Sequence, residues 1–225
     1  MSAFKRPRQP AFIGDYLERT SWKLRKQKSF EQVPLVALDT ETSGFTIGRD
    51  RMLSVAVIGM DWSRIKLETR VEWLVYQPNM AVNKATEIHG ILPSDTLSGT
   101  PEKQMLENLL PLLSGAIVIG HQIWFDALML NEALRRNFGI PFRNPIIDVG
   151  PMAMNELQPF RKSGYANQKP PSLEDLCAHF GLPIHDRHTA EGDAFLAAEL
   201  FLLMCGHIRR RKGCITRWDL PIRKG

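Results

Sequence analysis

The run Asp39-Thr40-Glu41-Thr42-Ser43-Gly44 puts two carboxylates two residues apart at the end of an aliphatic, β-branched segment. On extended backbone alternate side chains share a face, so Asp39 and Glu41 can converge on one ion. Taken alone, the pair suits turn or cap chemistry equally well. Two further segments carry acids: Gly120-His121-Gln122-Ile123-Trp124-Phe125-Asp126, and His188-Thr189-Ala190-Glu191-Gly192-Asp193. Each also reads as helix-terminal charge favoured by the helix dipole. Four acids gathered in one cleft would repel and force some to protonate, a conflict that bound divalent cations resolve. Oxygen-only donors favour Mg²⁺ or Mn²⁺, and two such ions about 3.5 to 4 Å apart are the usual arrangement for in-line attack on a phosphodiester. His188 supplies what acids lack, because an imidazole can accept a proton from an attacking water near neutral pH.

These residues need elements to hold them. Val33 to Asp39, Met52 to Met60 and Val71 to Tyr76 read as three strands. Glu102 to Leu113 reads as a helix, Ala116 to Ile119 as a short buried strand, and Phe125 to Phe138 as a helix stopped by Gly139 and Pro141. A strand at Ile146 to Val149 follows, then a helix capped by Ser172 and Asp175 with Gly181 after it, and a last helix from about Ala190 to Gly206. Hairpin strands followed by alternating helices and strands predict a mixed α/β sheet flanked by helices. Pro159 to Pro171, rich in Pro, Lys and Gly, reads as a mobile loop. The five tryptophans and Phe125 are expected to be packing residues.

In order and spacing the three acidic segments resemble the DEDDh class of 3′ to 5′ exonucleases, the DnaQ-like family that includes the proofreading epsilon subunit of bacterial DNA polymerase III. The resemblance spans roughly Val33 to Cys205. It implies a ribonuclease-H-like sheet, two metal ions held by Asp39, Glu41, Asp126 and Asp193, and His188 as general base. Thr86-Glu87-Ile88-His89-Gly90-Ile91 also looks like the family's substrate-contacting loop, which implies His89 near the terminal nucleotide and Thr42 near its 3′ end. One position departs from the pattern: Gln122 stands where the second motif usually has Asn, which lengthens the side chain while keeping the amide. Asp148 is read as a supporting residue rather than a ligand. The activity implied is release of nucleoside 5′-monophosphates from 3′ ends, with DNA as the expected polymer. The alternatives are an RNA 3′ exonuclease and a non-catalytic nucleic-acid-binding or polymerase-accessory module. A DNA polymerase or repair protein is the expected partner.

The 225 residues, 44% hydrophobic and 24% charged, exclude collagen, coiled-coil and fully disordered chains. An odd cysteine count (Cys177, Cys205, Cys214) without a CxxC pair gives neither a disulfide framework nor a cysteine zinc cluster. His185 and His188 lack the partners that would complete a zinc shell. No Walker A loop or GxSxG elbow is present. The net charge of +5 is unevenly spread: residues 1–30 and 207–225 carry +6 each, leaving −7 for residues 31–206. The expected organisation is a basic N-terminal extension (1–30), an exonuclease domain (31–206) and a basic C-terminal tail (207–225), the basic ends adding phosphate attraction. With no long apolar run and no leader-like start, the expectation is a cytoplasmic protein with no membrane partner.

Overall fold

The computed structural model describes residues 10–20, 32–161 and 168–225. Helix α1 (Ala11–Arg19) precedes strands β1 (Leu35–Thr42), β2 (Met52–Met60) and β3 (Val71–Leu74). Short helices α2 (Lys84–His89) and α3 (Pro93–Thr96) lead to α4 (Glu102–Leu113), β4 (Ile117–Gly120), α5 (Ile123–Phe138) and β5 (Pro145–Asp148). Then follow α6 (Val149–Glu156), α7 (Leu173–Phe180), the long α8 (Ala190–Lys212) and the short β6 (Arg223–Lys224). The strands form one sheet in the order β3-β2-β1-β4-β5-β6. β1 pairs antiparallel with β2 but parallel with β4, and β5 is parallel to β4 but antiparallel to β6. The expected mixed sheet flanked by helices is thus the one found.

β1 is central and buried on both faces, which is why it reads as a continuous aliphatic run. Leu35 and Ala37 face α6, α7 and α8, while Val36 and Leu38 face α1, α4 and α5. α8 lies close against the sheet because Ala194, Ala197 and Ala198, all buried, put methyl groups where larger side chains would hold it away. At the end of β4, a Cβ on Gly120 would stand 2.7 Å from the Leu38 carbonyl oxygen, so only glycine lets β4 turn into α5 beside β1.

Several boundaries differ from the sequence reading. β1 runs on through Thr42, since its edge pairing with β2 continues past the aliphatic stretch. α8 continues to Lys212, where a C-terminal cluster of Arg209 to Lys212 suits the negative end of the helix dipole. α6 was not foreseen, nor was α1, which lies inside the segment read as a basic extension. Ile13 and Tyr16 of α1 are fully buried. The Tyr16 hydroxyl donates to Asn144 Oδ1 at 2.8 Å, and Asn144 donates to the Leu113 and Ala116 carbonyls. Gly225 N–H donates to the Asn144 carbonyl at 3.0 Å. Helix α1 and Gly225 therefore both dock on the loop that precedes β5, and ion pairs of Arg211 with Glu156 and Lys212 with Asp219 hold the C-terminal return. The remainder of the extension, residues 1–9 and 21–30, and residues 162–167 of the expected Pro159 to Pro171 loop lie outside the described residues.

Candidate active site

The alternation of β1 places Asp39 and Glu41 on one face and Thr40 on the other. Asp39 lies opposite Ala56 and Glu41 opposite Ser54, small partners that leave room above the strand. Thr40, buried, donates its hydroxyl to Asp126 Oδ1 at 2.7 Å, tying the first turn of α5 to β1. The register shifts between Glu41 and Thr42, and a bulge of this kind re-aims the residues that follow it. Thr42, also buried, donates to the Gly44 carbonyl at 2.9 Å.

The third motif lies in a loop that ends at the N-cap of α8. Thr189 caps the helix by accepting from Gly192 N–H, and Asp193 N–H donates to the Thr189 carbonyl at 3.0 Å. The first turn of α8 delivers Asp193 to the β1 acids: donor atoms of Asp39, Glu41 and Asp193 lie within 4.8 Å of one another. Asp126 is adjacent but outside this trio, with one oxygen already taken by Thr40. His188 is half-buried, in a left-handed conformation at φ 62°, and lines a cavity of about 230 Å³ with Glu41 and His89. His89 Nδ1 accepts from Ile91 N–H at 3.0 Å, leaving Nε2 buried and without a hydrogen-bond partner among the described residues.

The electrostatics of this cluster are unfavourable as it stands. Burial, with Asp126, Asp193 and Glu41 as neighbours, holds the Asp39 carboxyl well above its ordinary value. Burial and the same crowding push Glu41 up to about 8. Burial raises Asp126 to about 7, against the lowering effect of the Thr40 hydroxyl. Burial also raises Asp193, opposed by Arg187 and His188. Arg187 is the internal countercharge: it pairs with Asp193, donates Nε–H to Glu174 at 2.7 Å, and lies 3.4 Å from His188 Nδ1. Even so, Asp193 Oδ1 is buried with no hydrogen-bond partner among the described residues. An orphaned carboxylate oxygen between two further carboxylates fits a hard divalent cation, and the donor set is all oxygen.

Two kinds of residue escaped the sequence reading. Arg187 stands directly before the third motif, and its signal was a cation beside a candidate base. Phe45, Trp124 and Trp218, by contrast, are 75%, 53% and 89% exposed, which corrects the packing expectation for Trp124 and Trp218, while Trp73 packs as expected and Trp22 lies outside the described residues. Trp62 is core as expected, and Phe125 is half-buried. Asp148 accepts from Gly150 N–H at 3.0 Å and from the Gln122 backbone, so it braces the second-motif turn.

A central mixed sheet brings acids from β1 and α8 into one cleft whose all-oxygen donor set could hold a divalent cation. A model of the family described as Exonuclease (RNase_T) matches residues 36–201, and the chain belongs to that exonuclease family. It is 26% identical over 193 residues to the DNA polymerase III subunit epsilon of Treponema pallidum, covering 85% of this chain and 86% of that protein. The epsilon subunit of Aquifex aeolicus is 23% identical over 167 residues, 74% of this chain and 78% of that one. Among solved structures, E. coli exonuclease I in complex with a dT13 oligonucleotide superposes with a TM-score of 0.66 at 20% identity. That match covers 80% of this chain and 42% of exonuclease I, so the chain spans less than half of that enzyme. The DnaQ-like resemblance and the ribonuclease-H-like sheet both stand. Among the described residues no helix is long and apolar enough to cross a membrane.

Proposed function

We propose that the chain is a divalent-metal-dependent 3′ to 5′ exonuclease that releases nucleoside 5′-monophosphates from DNA. The observation that carries this reading is the gathering of Asp39, Glu41 and Asp193 around an unpartnered, buried carboxylate oxygen. Asp39, Glu41, Asp126 and Asp193 would hold two ions, Mg²⁺ or Mn²⁺. Such ions supply positive charge to the phosphodiester and lower the pKa of water.

The chain's own residues do the rest. Water attacks phosphorus, the P–O3′ bond breaks, and the freed 3′ oxygen takes a proton from solvent. His188 accepts the proton that the attacking water loses, from a position on the rim of the same cavity as Glu41. His89, which lines the same cavity, and Thr42 would hold the terminal nucleotide. The similarity to epsilon subunits and to an exonuclease bound to dT13 favours DNA and association with a polymerase.

The test is digestion of 5′-labelled DNA and RNA of matched sequence, single-stranded and duplex, with Mg²⁺, Mn²⁺ or EDTA. A 3′-shortening ladder on DNA that disappears in EDTA is expected. Preference for RNA would replace the polymer assignment, and undiminished activity in excess EDTA would overturn the metal assignment.

A further inference from the structure

We propose that the cleft between the start of α5 and β6 is a second nucleic-acid subsite, in which Trp124 stacks a base of the single strand about three nucleotides inward from the 3′ end while Lys169 and Arg223 attract its phosphates. The inference rests on the exonuclease reading above and names where the rest of the strand goes.

The cleft has a volume of about 590 Å³ and is lined by Gln122, Trp124, Met154, Lys169, Pro221 and Arg223, among others. That is the size of sites that hold small organic groups. Residues two apart on a helix lie about 200° apart around its axis. Trp124 and Asp126 therefore leave the first turn of α5 on opposite sides, Asp126 toward Thr40 and Trp124 into the cleft.

An exposed aromatic path connects the two places. Phe45, just beyond β1, lies 5.7 Å from the Phe125 ring, and Phe125 lies 6.0 Å from the Trp124 ring. The sheet supplies the separation. β1, β4 and β5 are parallel neighbours, with Asp39 and Glu41 in the last half of β1 and Asp148 of the cleft at the end of β5. Two strand spacings are roughly 10 Å, about three stacked nucleotides at about 3.4 Å each.

Charge favours a polyanion. Lys169 and Arg223 form no ion pair among the described residues, whereas Arg136, Arg187 and Arg211 are each paired. The one acid in the lining, Asp148, is turned to the backbone N–H groups of Gly150 and Gln122 and to neighbouring cations. An aromatic face beside cations that form no close ion pair among the described residues is the combination that single strands use without sequence readout. Arg223 reaches the cleft only because β6 pairs with β5, so the folded-back C-terminus completes the site.

The experiment measures binding of 5′-fluorescein oligothymidylates of two and eight nucleotides to the full chain carrying Asp39→Ala, with Mg²⁺ present. Adding Trp124→Ala should weaken the 8-mer roughly 5- to 100-fold and leave the dinucleotide unchanged, and Trp124→Phe should restore most of the loss. Arg223→Gln and Lys169→Gln should each make the salt dependence of 8-mer binding shallower by about 0.7 in log–log slope. Equal loss at both lengths, or no loss at either, overturns the subsite. Loss of a bound protein partner with unaltered 8-mer affinity also overturns it. Hydrolysis by the unmutated chain is scored separately: a length-dependent Trp124 effect without hydrolysis would retain the cleft and reject the exonuclease reading, and the converse would reject the cleft alone.

Discussion

The end of β1 and the loop before α8 bring their groups to the same cluster by opposite means. Asp39 and Glu41 are set by strand register, with β2 and β4 on either side and backbone in the ordinary extended region. Arg187 and His188 stand in a turn where Asp186 and His188 both have positive φ, 52° and 62°. A non-glycine residue there costs about 1 to 2 kcal/mol. The turn is held by Thr189, which donates N–H and hydroxyl to the Asp186 carbonyl and caps α8. The acids are therefore as rigid as the sheet, while His188 depends on a strained turn.

The largest effect should come from the rigid side. Asp39→Asn or Glu41→Gln should lower turnover by roughly 10³-fold or more, the scale of several kcal/mol of lost charge stabilisation. Neither should unfold the protein, because each relieves repulsion; thermal stabilisation by Mn²⁺ should shrink instead. His188→Ala should cost roughly 10²- to 10⁴-fold in rate and keep the Mn²⁺ stabilisation. His188→Gln should not rescue it, since an amide cannot accept the proton. Near-normal turnover in His188→Ala would remove this histidine from the mechanism.

Gly192→Ala separates the two regions directly. A Cβ there would overlap the Asp186 carbonyl oxygen and crowd Thr189 Oγ1 at 2.9 Å. Alanine favours helix by about 1 kcal/mol over glycine, but here the clash is with backbone and must move the turn. A shift of about 1 Å in a catalytic group can cost about 10²-fold, so turnover should fall by about that much while Mn²⁺ binding falls less. Equal loss of both would mean that turn and acids move as one unit.

Legibility in the sequence follows the same division. Asp39 and Glu41 could be placed on one face from period alone, and the Ser172–Asp175 capping box was found where the spacing put it. Helix Glu102–Leu113 matched its reading because one apolar stripe faces the sheet. What could not be read depends on long-range contacts. α1 is fixed by Tyr16 reaching Asn144, 128 residues away, and its basic neighbours masked that. Arg187 pairs with Glu174 and Asp193 only once α7 and α8 meet. Trp124 is exposed because its helix turns Asp126 inward, a choice made by Thr40 rather than by local pattern.

A smaller effect belongs to pH. Asp39, Glu41, Asp126 and Asp193 all have folded pKa values above their ordinary ones, up to about 8 for Glu41 and about 7 for Asp126. Between about 4.5 and about 8 the folded state holds more protons than the unfolded state, so stability without metal should fall as pH rises through that window. Thermal unfolding in EDTA at pH 5.5 and 8.5 should show the decline, and Mn²⁺ or Glu41→Gln should flatten it. A flat curve in EDTA would mean that Arg187 already neutralises the cluster.

The smallest effect tests whether strain in the second motif resembles that in the third. Gln122 precedes α5 at φ 52° and makes no side-chain cap bond, so its conformation is imposed by the turn from Gly120 into the helix. Asn tolerates the left-handed region better than Gln, because its short amide can bond locally. Gln122→Asn should therefore stabilise the protein by up to about 1 kcal/mol, seen as a higher urea midpoint at unchanged slope. Asp148 accepts from the Gln122 backbone rather than its side chain, so the brace on this turn survives the exchange. A lower midpoint would show that the longer amide makes a packing contact in the Trp124 cleft that outweighs its backbone strain.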